Sequence, residues 1–327
     1  MILTGNAMNE NENFDVLAIG ELNADLILTG LKQGPVLNQE IIADSYKKTL
    51  GSSTALCAGN IARLGLSVAF CGKVGKDEMG SFVLDELEKR NIDTRFCVSD
   101  SKVETGLTLV LNWQGDRAMV TVLGATNTFS MKDFDINIIK CAKHLHVGSF
   151  FLLSSLRKDL PDIFKKAHEW GISTSLDTGW DDSANWDYDI RSVLKYTDIF
   201  FPNETEALHI TGTSSFVDAA TELEKVCGDT VTIKRGKNGA CCFSGGKRYA
   251  VDAMEDVRVV DTTGAGDSFN AGYIYAYTKG FSAPECLEFG NACGNICVGT
   301  VGGSNADLSV EKVSEMIRTH KKSYVIG

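Results

Sequence analysis

The chain has 327 residues, 43% of them hydrophobic, enough to bury a substantial core without disulfides, metals or an obligatory partner. Its formal charge of −11 excludes the clustered basic surface that nucleic acid requires, so any phosphate it takes must sit in a local pocket. No apolar run reaches the ~20 residues needed to cross a bilayer, and the stretch before Phe14 lacks a basic segment followed by an apolar one. The expectation is a cytoplasmic protein, without membrane or nucleic-acid partners, that carries a flexible tail over residues 1–13.

Phe14 to Ile19 (FDVLAI) reads as a buried strand, and Ala24 to Lys48 as an extended region before the first Gly-rich helix start. Val68 to Cys71 is the next strand. Gly72 to Gly80 reads as a turn and helix start, and Ser81 to Arg90 spaces its apolar residues as a helix does. Thr105 to Leu123 alternates apolar and polar residues about a turn at Asn112 to Asp116, which predicts a hairpin. Further strands are expected at Leu145 to Val147, Ser173 to Leu176, Ile199 to Phe201 and Thr230 to Ile233, with helices between them. This alternation points to a parallel sheet covered by helices. The two extended regions, about 24–48 and 103–124, could form a small sheet inserted into one large domain, a natural lid over a site that must exclude water.

Ten cysteines contain no C-x-x-C; Cys241 and Cys242 are adjacent, and Cys293 and Cys297 lie one helical turn apart. They read as buried, reduced thiols. His144 and His146 alternate on a strand with no neighbouring acid or thiol to complete a metal set, so they read as structural.

The most informative run is Val260 to Gly272, VDTTGAGDSFNAG, which leads into a helix with Gly280 as its stop. Small residues at Gly264, Ala265 and Gly266 let the backbone approach an anion, and amides entering a helix N-terminus point at it. A carboxylate beside such a cradle, Asp267, can take the proton of a hydroxyl aligned on a transferring phosphoryl group. The plain alternative is an N-cap above a tight turn. There is no G-x-x-x-x-G-K-[ST], and no G-x-G-x-x-G follows the first strand, so neither a P-loop nor a dinucleotide-binding fold is indicated.

D-T-T followed by GAGD and an apolar helix closely resembles the PfkB family of carbohydrate kinases, and the resemblance extends from Phe14 over nearly the whole chain. It implies an α/β, ribokinase-like three-layer sandwich with a mainly parallel central sheet and a small β-sheet lid, spanning 14–327. It also implies an ATP-dependent kinase for a small hydroxyl-bearing acceptor. Gly20 to Asp25 resembles the end of the family's first strand, where Asp25, with Asn23, binds acceptor hydroxyls. Asn203 to Glu206 resembles its N-x-x-E motif, in which Asn203 and Glu206 organise the nucleotide phosphates and Mg2+, Glu206 through water. Lys234, Gly236 and Gly239 match the strand and turn that hold ATP, and Asn291 a position flanking the adenine. Asp261, Thr263, Cys297 and Gly302 match residues around a monovalent cation, so K+ is a further expectation. A homodimer through the lid is another.

Two departures leave the acceptor open. The family starts its first helix with G-G-x-x-x-N, but here Gly51-Ser52-Ser53-Thr54-Ala55 is followed by Leu56. An apolar side chain cannot replace the missing donor and acceptor, so Ser52, Ser53 or Asn60 must bind the substrate instead, or the substrate must differ. Asp177 to Trp180 only partly resembles D-x-N-x-R. A sugar or sugar acid is the first reading, a nucleoside walled by Leu56 and Trp113 the second, and a non-catalytic ligand-binding homologue the third.

Overall fold

The structure, a computed structural model, describes residues 13–326 except 114–115, 187–188, 255–256, 258, 260, 301–306 and 320–321. The expected tail, apart from Asn13, and Gly302 thus lie outside the described residues.

The chain opens on β1 (Phe14–Ile19), where after Asp15 the run Val16 to Ile19 is apolar at every position because both faces are covered. Val16 and Ala18 enter one core, Leu17 the other, together with Ile19. There follow β2 (Asn23–Leu31), β3 (Ser45–Leu50), α1 (Ser53–Arg63), β4 (Val68–Cys71), β5 (Lys73–Gly75), α2 (Glu78–Glu88), β6 (Ile92–Asp93), β7 (Val98–Asp100), β8 (Gly106–Trp113) and β9 (Asp116–Val122). The second half contains β10 (Ala142–Val147), α3 (Leu160–Glu169), β11 (Ser173–Leu176), α4 (Ile190–Leu194), β12 (Ile199–Phe200), α5 (Glu204–Thr211), α6 (Phe216–Glu224) and β13 (Thr230–Lys234). It ends with β14 (Ala240–Ser244), β15 (Lys247–Val251), α7 (Ala265–Thr278), α8 (Ala283–Val298), α9 (Val310–Thr319) and β16 (Tyr324–Val325).

Among the described residues the larger sheet has ten strands in the order β16-β15-β14-β13-β12-β11-β10-β1-β4-β6. It is parallel from β6 to β13 and antiparallel from there to β16. After β1 the chain builds outward on one side through β4 and β6, then returns to build the other side from β10. Open parallel sheets place their ligands at the carboxyl ends of the strands beside such a reversal. One face packs on α1, α2, α7, α8 and α9, the other on α3 to α6. α7 and α8 approach closely because Gly272 faces Cys293: a Cβ there would lie 2.6 Å from Cys293 Sγ.

The two extended regions pair as one sheet, β3-β2-β8-β9. Its register puts Asp25, Thr108 and Thr121 on one face with Arg117, and Leu26, Leu109 and Val120 on the other. Two local expectations shift. Lys73–Gly75, read as a turn, is a short strand paired with β7, and α2 starts three residues earlier than its apolar spacing suggested, because Asp77 Oδ1 accepts from Gly80 N at 2.7 Å. None of the ten cysteines is in a disulfide. His144 is sandwiched between Ser173 and Ser175, and burial pushes it down to about 3, so it stays neutral. No described helix is long and apolar enough to cross a membrane.

Candidate active site

Four polar residues gather where strands of the larger sheet end. Glu21 follows β1, Asp177 follows β11, Asn203 follows β12, and Lys234 is the last residue of β13. The N-terminus of α7 enters the same place, its Gly264 cap in the left-handed region at φ 74 that favours glycine. The amides of Ala265, Gly266 and Asp267 lie in the first turn and have no partner within the helix; that of Ala265 donates to Thr262 O at a long 3.3 Å. Backbone donors and the helix dipole together suit an anion there.

The Ser53 hydroxyl lies close enough to the Asp267 carboxyl to favour its charged form. Burial, reinforced by the nearby Asp177 charge, pushes it up to about 7, against the opposing pull of Ser53 and Lys234. A carboxyl in that range exchanges protons near neutral pH.

Two residues before Ser53 lies Gly51, where a Cβ would fall 2.1 Å from Asp25 Oδ1 and 2.3 Å from Asn23 Nδ2. Only a glycine lets this turn pass so close. Asn23 Nδ2 donates to Asp25 Oδ1 at 2.9 Å and to Thr108 Oγ1 at 3.1 Å. Burial pushes Asp25 up to about 6. Ser52 is spent locally: its Oγ donates to Glu21 O at 2.6 Å and accepts from Ala55 N at 2.9 Å, capping α1. Asn60 is not brought to Asn23 and Asp25. Its amide donates to Ser268 Oγ at 2.9 Å, and its carbonyl accepts from Arg63.

Glu206 and Asn203 form a reciprocal cap on α5, with Glu206 N donating to Asn203 Oδ1 at 2.9 Å and Asn203 N to Glu206 Oε2 at 2.7 Å. Thr178 Oγ1 also donates to Glu206 Oε2. Burial, with Asp177 nearby, pushes Glu206 up to about 7. Lys234 points inward, 2.6 Å from Asp177 Oδ2, and a Cβ on Gly266 would lie 3.6 Å from its ammonium. Gly236 and Gly239 shape the turn after β13; Gly239, at φ 77, has Val251 O where a Cβ would go. Asn291 is buried on α8 and donates to Asp252 O at 3.0 Å.

Asp261, Thr263 and Cys297 are brought together, but onto one another. Asp261 Oδ1 accepts from Thr263 N and Oγ1, and Cys297 Sγ donates to Thr263 O at 3.4 Å. Arg117 of β9 reaches across to the same place, donating to Thr263 Oγ1 and, at 3.5 Å, to Asp261 Oδ1.

The sequence reading gave no role to Glu21, Arg117 or Asn270, and none to Asp177 beyond a partial motif match. A usable clue was position: Glu21 and Asp177 each closely follow a buried strand, where a parallel sheet puts its ligands. Arg117 and Asn270 carried no such clue, since their partners are 144 and 93 residues away.

Residues 13–310 match the family profile described as pfkB family carbohydrate kinase. The chain is 30% identical to the 2-dehydro-3-deoxygluconokinase of Bacillus subtilis over 288 residues, 85% of this chain and 89% of that one. It is also 30% identical to an uncharacterized sugar kinase of Archaeoglobus fulgidus, over 74% of this chain and 95% of the relative. Among solved structures, Arabidopsis thaliana ribokinase with ribose and ATP superposes with a TM-score of 0.81 at 24% identity, covering 94% of this chain and 99% of the other. An E. coli protein described as ribokinase II, solved with ATP and Mg2+, superposes with a TM-score of 0.81 at 25% identity, covering 94% and 100%. With the ribokinase fold, the match across 13–310 and these sugar-kinase relatives, the chain belongs to the pfkB family of carbohydrate kinases.

Proposed function

We propose that the protein transfers the γ-phosphoryl group of ATP to a hydroxyl of a sugar or sugar derivative, with Asp267 as the base and the amides of Gly264, Ala265 and Gly266 as the cradle. One observation carries this reading. The stretch Gly51–Ser53 packs against Asp25 at one end and comes near enough to Asp267 at the other for the Ser53 hydroxyl to act on its carboxyl, and two residues of chain span no more than about 7 Å. An acceptor hydroxyl held by Asn23 and Asp25 therefore lies within one small molecule's length of the Asp267 carboxylate. As the hydroxyl oxygen bonds to the γ-phosphorus, the bond to the β,γ-bridging oxygen breaks, ADP leaves, and the hydroxyl proton passes to Asp267.

The names of the relatives favour a sugar or sugar acid over a nucleoside. Leu56 lies buried in α1, which leaves acceptor recognition to Asn23, Asp25, Gly51 and Ser53 rather than to Ser52 or Asn60. Asn203, Lys234, Gly236, Gly239 and Asn291 are the expected nucleotide contacts. Among the described residues no three acids, histidines or thiols converge on a metal, and the donor set fits Mg2+ held chiefly by nucleotide phosphates and water, with Glu206 behind the water. Bound there, Mg2+ would neutralise charge on the β and γ oxygens. The K+ reading has less behind it, because Arg117 already supplies a positive charge at Asp261.

Residues 24–48 and 103–124 act as the lid in this reading, with Arg117 as its tie to the cradle segment. The lid face opposite Asp25 carries Tyr46, Val120 and Val122, each more than half exposed, a surface suited to a second copy of the chain; sedimentation of the native protein against a Val120→Glu variant tests it. The central test is Asp267→Asn. Shape and most hydrogen bonds remain, so ATP affinity by calorimetry should survive while kcat falls by ~10²-fold to 10⁴-fold. Near-native turnover would refute the base.

A further inference from the structure

Three carboxyl groups act on one ammonium behind the cradle. Asp177 follows β11, Glu206 lies in the first turn of α5, Asp267 in the first turn of α7, and all three attract Lys234 at the end of β13. Only Asp177 is bonded to it. Lys234 Nζ donates to Asp177 Oδ2 at 2.6 Å and to Asn270 Oδ1 at 3.3 Å, and Asn270 Nδ2 closes the ring by donating to Asp177 Oδ2 at 2.7 Å. The other carboxylate oxygen accepts from Gly179 N at 3.0 Å. The pair is well covered, the side chains being 8% and 15% exposed for Asp177 and Lys234.

As a source of stability such a pair is a weak device, because stripping water from two charges costs about as much as their attraction returns. As a device for aiming a charge it is effective. Two of the three ammonium donors are engaged by a ring of side chains rooted in three different elements, and the ammonium lies beside Gly266, where a Cβ would be 3.6 Å away.

We propose that Lys234 is the cation that neutralises the phosphoryl group in transfer within the Gly264–Gly266 cradle, and that Asp177 and Asn270 are positioning residues that hold its ammonium there. The proposal rests on the reading of those amides as the cradle. Asp177 also acts before nucleotide binds, when its carboxylate keeps the buried ammonium from being uncompensated. When the phosphoryl group arrives, Lys234 is shared between them. A fixed cation beside developing charge needs no reorganisation at the moment of reaction, which is where electrostatic catalysis gains most.

The test uses the full chain with Lys234→Met, Asp177→Asn and the double variant, measuring Tm, kcat with the best sugar acceptor, and calorimetric affinities for ATP and ADP with Mg2+. Lys234→Met strands a buried carboxylate and should lower Tm; the double variant removes both charges and should recover it. A purely structural pair would then recover activity too. The proposal expects kcat of the double variant to stay at least ~100-fold down and its preference for ATP over ADP to shrink about tenfold. A double variant with recovered Tm and kcat within about threefold of native overturns it. If Tm does not recover, Asp177→Asn decides, since it keeps Lys234 and the packing: kcat reduced about tenfold or more with ATP affinity retained supports positioning, and native kcat overturns it. The ATP and ADP affinities do not involve the base, so normal turnover in Asp267→Asn alongside a lost ATP preference would dismiss Asp267 and keep Lys234.

Discussion

Asn60 Nδ2 donates to Ser268 Oγ at 2.9 Å across the contact between α1 and α7, and Ser268 Oγ donates in turn to Gly264 O at 2.8 Å. The buried amide thus holds the cap residue of the helix that carries Asp267. Ser268→Ala would leave Asn60 Nδ2 without its partner, at a cost of ~1–3 kcal/mol, and loosen the Gly264 cap. Tm should fall and kcat with it. Phe164→Ala, in the remote core beneath α3, should cost more stability, ~3–5 kcal/mol, yet leave kcat per folded molecule unchanged. Thermal unfolding and active-fraction kinetics on the two variants separate a local effect on the cradle from a general loss of stability.

The elevated Asp267 carboxyl sets the pH dependence. In the proposed role as base it must be ionised, so kcat/KM should rise with pH through an acid limb near 7. For stability the sign is opposite. A folded-state value of about 7 against an unfolded ~3.9 means the folded chain holds this proton more tightly. The group's contribution is therefore fully present below about pH 4 and lost as pH rises through 7. Asp267→Asn should accordingly raise the Tm of the nucleotide-free protein more at pH 8 than at pH 5. An equal shift at both values would mean that Asp267 titrates normally.

Gly51→Ala forces a methyl into Asp25 and Asn23, the closest approach being 2.1 Å. If these two residues hold the acceptor, the acceptor KM should rise about tenfold or more while ATP affinity is kept. Asp25→Ala should do the same through loss of the carboxylate. Equal losses for both ligands would place the pair elsewhere than the acceptor pocket.

Leu56→Asn introduces the residue that the family pattern expects on α1. Ranked rates across a panel of pentoses, hexoses, sugar acids and nucleosides should change order, because a buried site with a new donor and acceptor discriminates by hydroxyl position. An unchanged ranking would show that position 56 does not meet the acceptor.

The strands and the start of α7 at Gly264 were legible because each is a local pattern. FDVLAI and VAFC are mainly apolar runs that end at a glycine, and their limits match β1 and β4, as expected of strands buried on both faces; Ser173 to Leu176, expected as a strand too, matches β11 although three of its four residues carry hydroxyls. The segment at 261–267 was legible because a glycine cap, the amides of a first helical turn and an acid in that turn must be consecutive in the chain. What only the tertiary structure decided is which side chains share a charge. Lys234 and Asp177 lie 57 residues apart, Asn270 and Asp177 93 apart, and Arg117 and Thr263 146 apart. No periodicity spans such distances. Asn60 likewise has the composition of an acceptor ligand, and only the packing of α1 on α7 shows its amide committed to Ser268. A side chain's chemistry is set by its residue type, but its partner is set by the strand order of the sheet and by the helices laid across it.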